Sequence, residues 1–417
     1  MQDADLSPAL ARCNRCGFCQ VACPIFRATG HESGVARGRL ALLRALEEGR
    51  LEWSQGLEQT LFTCLLCGAC TTNCFPAIRT VDLVVDARRR YLDRVGRHRL
   101  HRLLFDKLLP YPGRMRLAAK AVALGRDSGL AEVASALGLL RIFGREFARS
   151  EKILDRVPRR ALRERIRPGV LQGHGSGPRV AYFAGCGPDI MTPESAAASI
   201  RALLARSREV AVLANGCCGL PAWSYGDLEA ARRLAERNLE VLASSPSFDL
   251  LVTDCSSCAS FLKRYPDLFE AGAPSHSKAQ AMAPRVRDWV EWAFASSLAP
   301  RSQRERIVAT YHDPCHASRG QGLAREPRAL LSSLSAIEYR ELPEADWCCG
   351  GAGSYAFSHF ELARRVLARK MDNLERTGAG VLVTSCPACI LQLRYGVRMR
   401  RLAVRVCHLA EILSRPA

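Results

Sequence analysis

Five short runs rich in β-branched and aromatic residues punctuate the C-terminal half of the chain: RVAYFAGC, REVAVLANGCCG, DLLVTDCSSC, RIVATYHDPC and GVLVTSCPAC. Such runs predict strands, and each closes on cysteine. Between them, DLEAARRLAERNLEVLAS and ELARRVLARKMDNLERTG carry apolar residues at helical spacing. Strand then helix, repeated, predicts parallel α/β sheets. Cysteines at strand carboxyl ends would converge on the edge where open α/β sheets place their ligands. Nearer the N-terminus, RGRLALLRALEEGRLEW from Arg37 again has helical spacing, which predicts a helical opening region. A chain of 417 residues exceeds what one core usually serves, so several domains are expected.

The pattern also bounds the compartment. No apolar run approaches the length of a membrane-spanning helix, and MQDADLSPALARC lacks the basic-then-apolar order of a secretory leader. The expected location is the cytoplasm, where thiols stay reduced, so 19 cysteines point to metal or redox chemistry rather than disulfides.

Eight of those cysteines open the chain in two runs of the form C-x2-C-x2-C-x3-C: Cys13, Cys16, Cys19 and Cys23 followed by Pro24, then Cys64, Cys67, Cys70 and Cys74, with Phe75 displacing the proline to Pro76. In two-cluster ferredoxins the fourth cysteine of each run serves the other cluster. The expectation is one [4Fe–4S] cluster on Cys13, Cys16, Cys19 and Cys74, and a second on Cys64, Cys67, Cys70 and Cys23. Gly17 and Gly68 would let the backbone approach closely. Structural zinc is the alternative, although zinc sites usually pair distant C-x2-C hooks. Arg37 and Arg39 are candidates for neutralising cluster charge or for a solvated helix start.

The remaining cysteines repeat. Cys186, Cys217, Cys218, Cys255 and Cys258 are echoed by Cys315, Cys348, Cys349, Cys386 and Cys389, offset by 129 residues at the first position and 131 at the other four. A near-constant offset marks a duplicated module. Only Cys407, in VRVCHLAEIL, is left over, and it reads as an ordinary buried thiol. His312, Asp313 and His316 flank Cys315 and are candidate hydrogen-bond donors to cluster sulfur, or helix-capping and packing residues.

The pattern C…CCG…CxxC, with YHDPCHASRGQG, LPEADWCCGGAGSYAFSH and ARKMDNLERTGAGVLVTSCPAC, resembles the CCG-type cysteine-rich domain family. That family includes the cysteine-rich subunit of heterodisulfide reductase, lactate-utilisation iron–sulfur proteins, the iron–sulfur subunit of anaerobic glycerol-3-phosphate dehydrogenase and glycolate oxidase iron–sulfur subunits. The order of parts looks most like the glycolate oxidase branch, and the resemblance covers the chain except roughly residues 91–170. It implies an α+β multidomain protein: a helical two-cluster ferredoxin domain at 1–90, a basic helical linker at 91–178, and tandem α/β cysteine-rich domains at 179–300 and 301–417. It also implies that each five-cysteine set holds a non-cubane [4Fe–4S] cluster, giving one or two clusters beyond those of the ferredoxin domain. Glycolate-branch members often lack some of these positions and this chain keeps all ten. Zinc or an empty structural site is the alternative for each set.

Residues 88–167 carry 22 Lys and Arg against 8 Asp and Glu, most of the chain's net charge of +19. With Leu, Phe and Val interleaved, this segment could dock on an anionic membrane face or an acidic partner, or be a solvated linker. Nucleic acid is not expected, because no binding motif accompanies the charge. No G-x-G-x-x-G lies between a strand and a helix, so the chain is expected to carry no flavin of its own. The resemblance implies electron transfer from an FAD-containing 2-hydroxy acid dehydrogenase subunit, of glycolate or lactate type, to a quinone or other acceptor. A peripheral contact with the inner face of the cell membrane would run through residues 88–167. The alternative is a heterodisulfide reductase-like subunit with catalysis at a non-cubane cluster. No catalytic residue is assigned.

Overall fold

Among the described residues, nine strands, all downstream of residue 168, form two sheets, and everything before them is helix or loop. The computed structural model describes residues 7–130, 137, 144–154, 157–298 and 306–414. The expected boundary at 300/301 and parts of the basic segment lie outside these.

The first sheet contains β1 (Gly169–Gln172), β2 (Gly177–Tyr182), β3 (Ser207–Val212), β4 (Leu250–Thr253) and β5 (Val286–Asp288), in the order β1-β3-β2-β4-β5. The second contains β6 (Ile307–Tyr311), β7 (Ile337–Tyr339), β8 (Val381–Thr384) and β9 (Arg405–His408), in the order β7-β6-β8-β9. Without β1 the two orders are the same, and every neighbouring pair is parallel. The repeat read from cysteine spacing is therefore a repeat of topology. The expectation of purely parallel sheets fails at β1, which pairs antiparallel with β3. This strand is largely exposed, so it carries no buried pattern for the sequence to display.

Helices cover the sheets for local reasons. The helix Leu228–Ala243 starts where the Asp227 side chain accepts the Ala230 N–H at 3.0 Å, and it buries Leu228, Ala231, Leu234, Ala235, Leu239 and Leu242 on one face. Its counterpart, Phe360–Thr377, buries Ala363, Val366, Leu367, Met371 and Leu374.

The two modules pack about a pseudo-two-fold. The helix Pro193–Arg206 lies on Leu409–Leu413, and its equivalent Arg325–Ser332 lies on Trp289–Ala295. Trp289, Val290, Leu409 and Ala410 share one apolar core with strand residues of both sheets, Cys407 among them. At the strand ends a polar seam joins the modules. Tyr182 donates to Asp254 at 2.8 Å, Tyr311 meets Ser385 at 2.9 Å, and Ser256 meets Ser385 at 2.9 Å.

The helical region divides its packing. Leu10, Leu40, Leu43, Leu57, Leu61, Ile78 and Leu83 form a core of their own, whereas Ile25, Val35, Val84 and Val85 enter the core shared with both modules. The basic segment is anchored by its charges. Arg97 pairs with Asp227 at 2.7 Å, Arg116 with Asp189 at 3.2 Å and Arg126 with Glu151 at 2.7 Å. Part of the charge excess is thus spent inside the molecule.

Candidate metal centre

The two opening cysteine runs fold as copies of each other. Arg15 and Leu66, at matching places, both have φ of +54°, and Gly17 and Gly68 follow at +86° and +75°. These paired left-handed residues turn the chain sharply before the short helices Phe18–Ala22 and Ala69–Thr72. Cys13, Cys16, Cys19 and Cys74 line one small cavity with Arg37, Ile78 and the edge of Cys70. Cys23 lies apart from them, beside Cys67 and Cys64, and Cys70 is close to all three. The fold thus places Cys74 beside the first run and Cys23 beside the second.

Cys23 owes its position to Pro24, which starts the helix Pro24–Thr29 and leaves the cysteine as its cap, with the Phe26 N–H aimed at the sulfur at 3.5 Å. Burial pushes its thiol up to about 11 and raises Cys19 and Cys70 as well. Crowded buried thiols that resist ionising alone suit a cation that displaces their protons. Arg37 pairs with Glu32 and donates to the Arg15 carbonyl at 3.2 Å, beside Cys19 and Cys16. Arg39 is not at a solvated helix start. It is buried and donates to the Thr60 carbonyl at 2.9 Å.

Each five-cysteine set converges at the carboxyl edge of its sheet. In the first, Cys186 Sγ lies 3.8 Å from Cys217 Sγ, Cys217 pairs with Cys218, Cys218 with Cys258, and Cys258 with Cys255. The second repeats the chain from Cys315 through Cys348, Cys349 and Cys389 to Cys386. The second thiol of each adjacent pair is held low by its neighbours: Cys218 at about 5 by Cys217 and Cys258, and Cys349 well below the usual thiol range by Cys348 and Cys389. None of the 19 cysteines is in a disulfide. Donor sets of this softness and burial fit an iron–sulfur group.

Two contacts across modules were not legible in the sequence. Cys255 pairs with Cys386, so the two five-cysteine sets touch. Cys67 pairs with Cys348, so the second opening run abuts the second module. Around that junction Arg319 donates to the Cys67 carbonyl at 3.4 Å and Tyr355 to the Thr63 carbonyl at 3.1 Å. Buried Arg88 donates to the Cys64 carbonyl at 2.7 Å, and also to the Leu61 and Ser224 carbonyls.

The three residues flanking Cys315 go separate ways. Asp313 is clamped by Arg328 at 3.0 and 2.9 Å. His316 Nδ1 meets Ser257 Oγ at 3.1 Å and lies 3.9 Å from Cys315 Sγ. His312 is buried against Cys349 and Cys389, the ligand atoms of the three lying within 4.8 Å of one another. Lys370 did not stand out in the sequence. Fully buried, it donates to the Glu344 and Ala345 carbonyls near Cys349, and burial lowers it to about 8. Its place among Val366, Leu367, Met371 and Leu374 on the apolar face was the one signal that could have found it.

A helical unit with two crossed four-cysteine groups, joined to duplicated α/β modules with convergent cysteine sets, defines an iron–sulfur protein of the ferredoxin plus cysteine-rich class. Residues 9–78 match the 4Fe-4S dicluster domain family, and residues 180–263 and 309–394 match the cysteine-rich (CCG) domain. The segment 96–154 matches the linker region of the glycolate oxidase iron-sulfur subunit. A Bacillus subtilis protein named "Probable glycolate oxidase iron-sulfur subunit" is 30% identical over 98% of this chain and 94% of its own length. The chain belongs to the glycolate oxidase iron-sulfur subunit family. It is also similar to the glycolate oxidase iron-sulfur subunit of Escherichia coli, 27% identical over 91% of this chain and 88% of that protein. A fumarate reductase (CoM/CoB) subunit of Methanothermobacter marburgensis is 24% identical over 99% of this chain and 73% of its length.

Proposed function

We propose that this protein is the electron-carrying subunit of a flavin-dependent 2-hydroxy acid dehydrogenase of glycolate or lactate type, linking an FAD-containing partner to a quinone or other acceptor. The observation that carries this reading is the unbroken succession of thiol groups. The first opening group adjoins the second through Cys70, the second meets the second module at Cys67 and Cys348, and that module meets the first at Cys386 and Cys255. Held in these sets, [4Fe–4S] groups would supply one-electron transfer: Cys13, Cys16, Cys19 and Cys74 for one, Cys64, Cys67, Cys70 and Cys23 for another, and each five-cysteine set for a non-cubane group. The chain's own work is to exclude water, orient the thiolates and set potentials through nearby donors such as Arg37.

No helix among the described residues is long and apolar enough to cross a membrane. A peripheral contact with the inner face of the cell membrane is supported by the helix Pro112–Asp127, which exposes Leu117, Val122 and Leu124 beside Arg114 and Lys120.

Anaerobically purified protein tests the reading directly. About sixteen iron atoms per chain with matching sulfide, and co-purification of a flavoprotein, are expected. About eight iron atoms with zinc in the modules would refute the four-group arrangement. A second reading, direct reduction of a disulfide-like acceptor at the modules, is favoured by the Cys255–Cys386 contact and the ten retained cysteines. It predicts acceptor reduction by this chain without any flavoprotein.

A further inference from the structure

The duplicated modules are alike in thiols and unlike in what surrounds them. His312 is 1% exposed, and its ring lies against the Cys349 and Cys389 sulfurs, the Cys349 thiol being the one polar partner it meets among the described residues. A buried imidazole whose polar atoms meet nothing better than a thiol costs stability unless something at the site completes it. The residue 129 positions earlier, the offset of the first cysteines, is Phe183, which has no donor. Lys370 adds an asymmetry of charge. Among the described residues its ammonium meets the Glu344 and Ala345 carbonyls at hydrogen-bonding distance, beside Cys349 and Cys348, whereas the buried residue at the matching place of Leu228–Ala243 is the neutral Asn238, which donates to the Cys217 carbonyl at 2.8 Å. At the first module the trend runs the other way. Asp254, next to Cys255, is buried where the second module has Ser385.

We propose that His312 and Lys370 make the two five-cysteine sites electrically unequal, His312 giving its ring N–H to a sulfur of the iron–sulfur group in the second module, so that this group has the higher reduction potential of the two. The proposal rests on the reading that both sets hold iron–sulfur groups. His312 is a positioning residue here and not a sixth ligand, because the first module assembles the same five thiols with no histidine. Reduction adds negative charge to the group, and a buried donor together with a buried ammonium favours the reduced state. Since Cys67 touches Cys348, the better electron acceptor is also the module next to the ferredoxin region.

The test is an EPR-monitored redox titration of the anaerobic full-length holoprotein, with Cys218→Ala and Cys349→Ala used to assign the signals to modules. His312→Phe and Lys370→Met should each lower the potential of the second-module signal and leave the first in place. Phe183→His should raise the first, and His312→Asn should partly restore the second. Protein labelled with 15N-histidine should show a weak nitrogen coupling on the second-module signal that is absent in His312→Phe. Iron present in both modules, with potentials unmoved by these changes and no nitrogen coupling, would overturn the proposal alone. Iron missing from the modules of the unmodified protein would overturn the underlying reading instead.

Discussion

Gly350 closes the WCCGGAG turn with φ of +82°, and a Cβ built there would stand 2.6 Å from the Ala363 carbonyl oxygen. The clash is with backbone, which has little room to yield. Gly350→Ala should lose roughly 2–4 kcal/mol from the left-handed conformation and the overlap together. Denaturant titration of the apoprotein would measure this, with iron retention in the second module falling in parallel. The glycine of the motif was legible, and so was its reason. The buried cations were harder. Arg88 reads as one of three consecutive arginines, and only its spacing from Val84, Val85, Tyr91 and Leu92, all buried, sets it apart. His312 stood out as a possible donor in the sequence, but Asp313 stood out equally and turned out to be committed to Arg328.

At the scale of elements, the long amphipathic helices and the five strands ending in cysteine were plain in the apolar spacing. β5 and β7 were not, being three residues each, too short for a period to register. The linker shows how a local charge pattern can mislead, since Arg97, Arg116 and Arg126 face carboxylates inside the fold. One linker contact carries a pH dependence. His101, in the helix Arg99–Leu103, stacks on Tyr225 at 3.8 Å, and burial, reinforced by His98, lowers it to about 4. Its folded value lies below the unfolded one near 6.5, so the unfolded chain binds the extra proton first as pH falls. Stability is therefore intact above about pH 6.5 and declines toward pH 4, by about 3 kcal/mol from this residue. His101→Phe keeps the ring stack and should flatten that acid limb in thermal melts taken between those values.

At the scale of the molecule, the helical region and the modules share packing. The first opening group sits on a core made by residues of the helical region, including Leu40, Leu61 and Ile78. The second sits where that region meets the modules, its backbone held by Tyr355 and Arg319 as well as by Arg88. Nothing in the linear order of residues connects Cys67 to Cys348, because the contact exists only where the helical region packs on the second module. A fragment spanning residues 1–90 should accordingly hold about four iron atoms, at the Cys13, Cys16, Cys19 and Cys74 group, rather than about eight. Iron and sulfide analysis with EPR would decide it.

That junction also sets a schedule for biogenesis. The carbonyls around Cys64 and Cys67 gain partners from Arg319 and Tyr355, so the backbone of this group is fully held only after the chain as far as residue 355 has been made. A chain that ends before residue 319 should accordingly retain less iron at the Cys64, Cys67 and Cys70 group than at the Cys13, Cys16 and Cys19 group, measurable by iron and sulfide analysis with EPR.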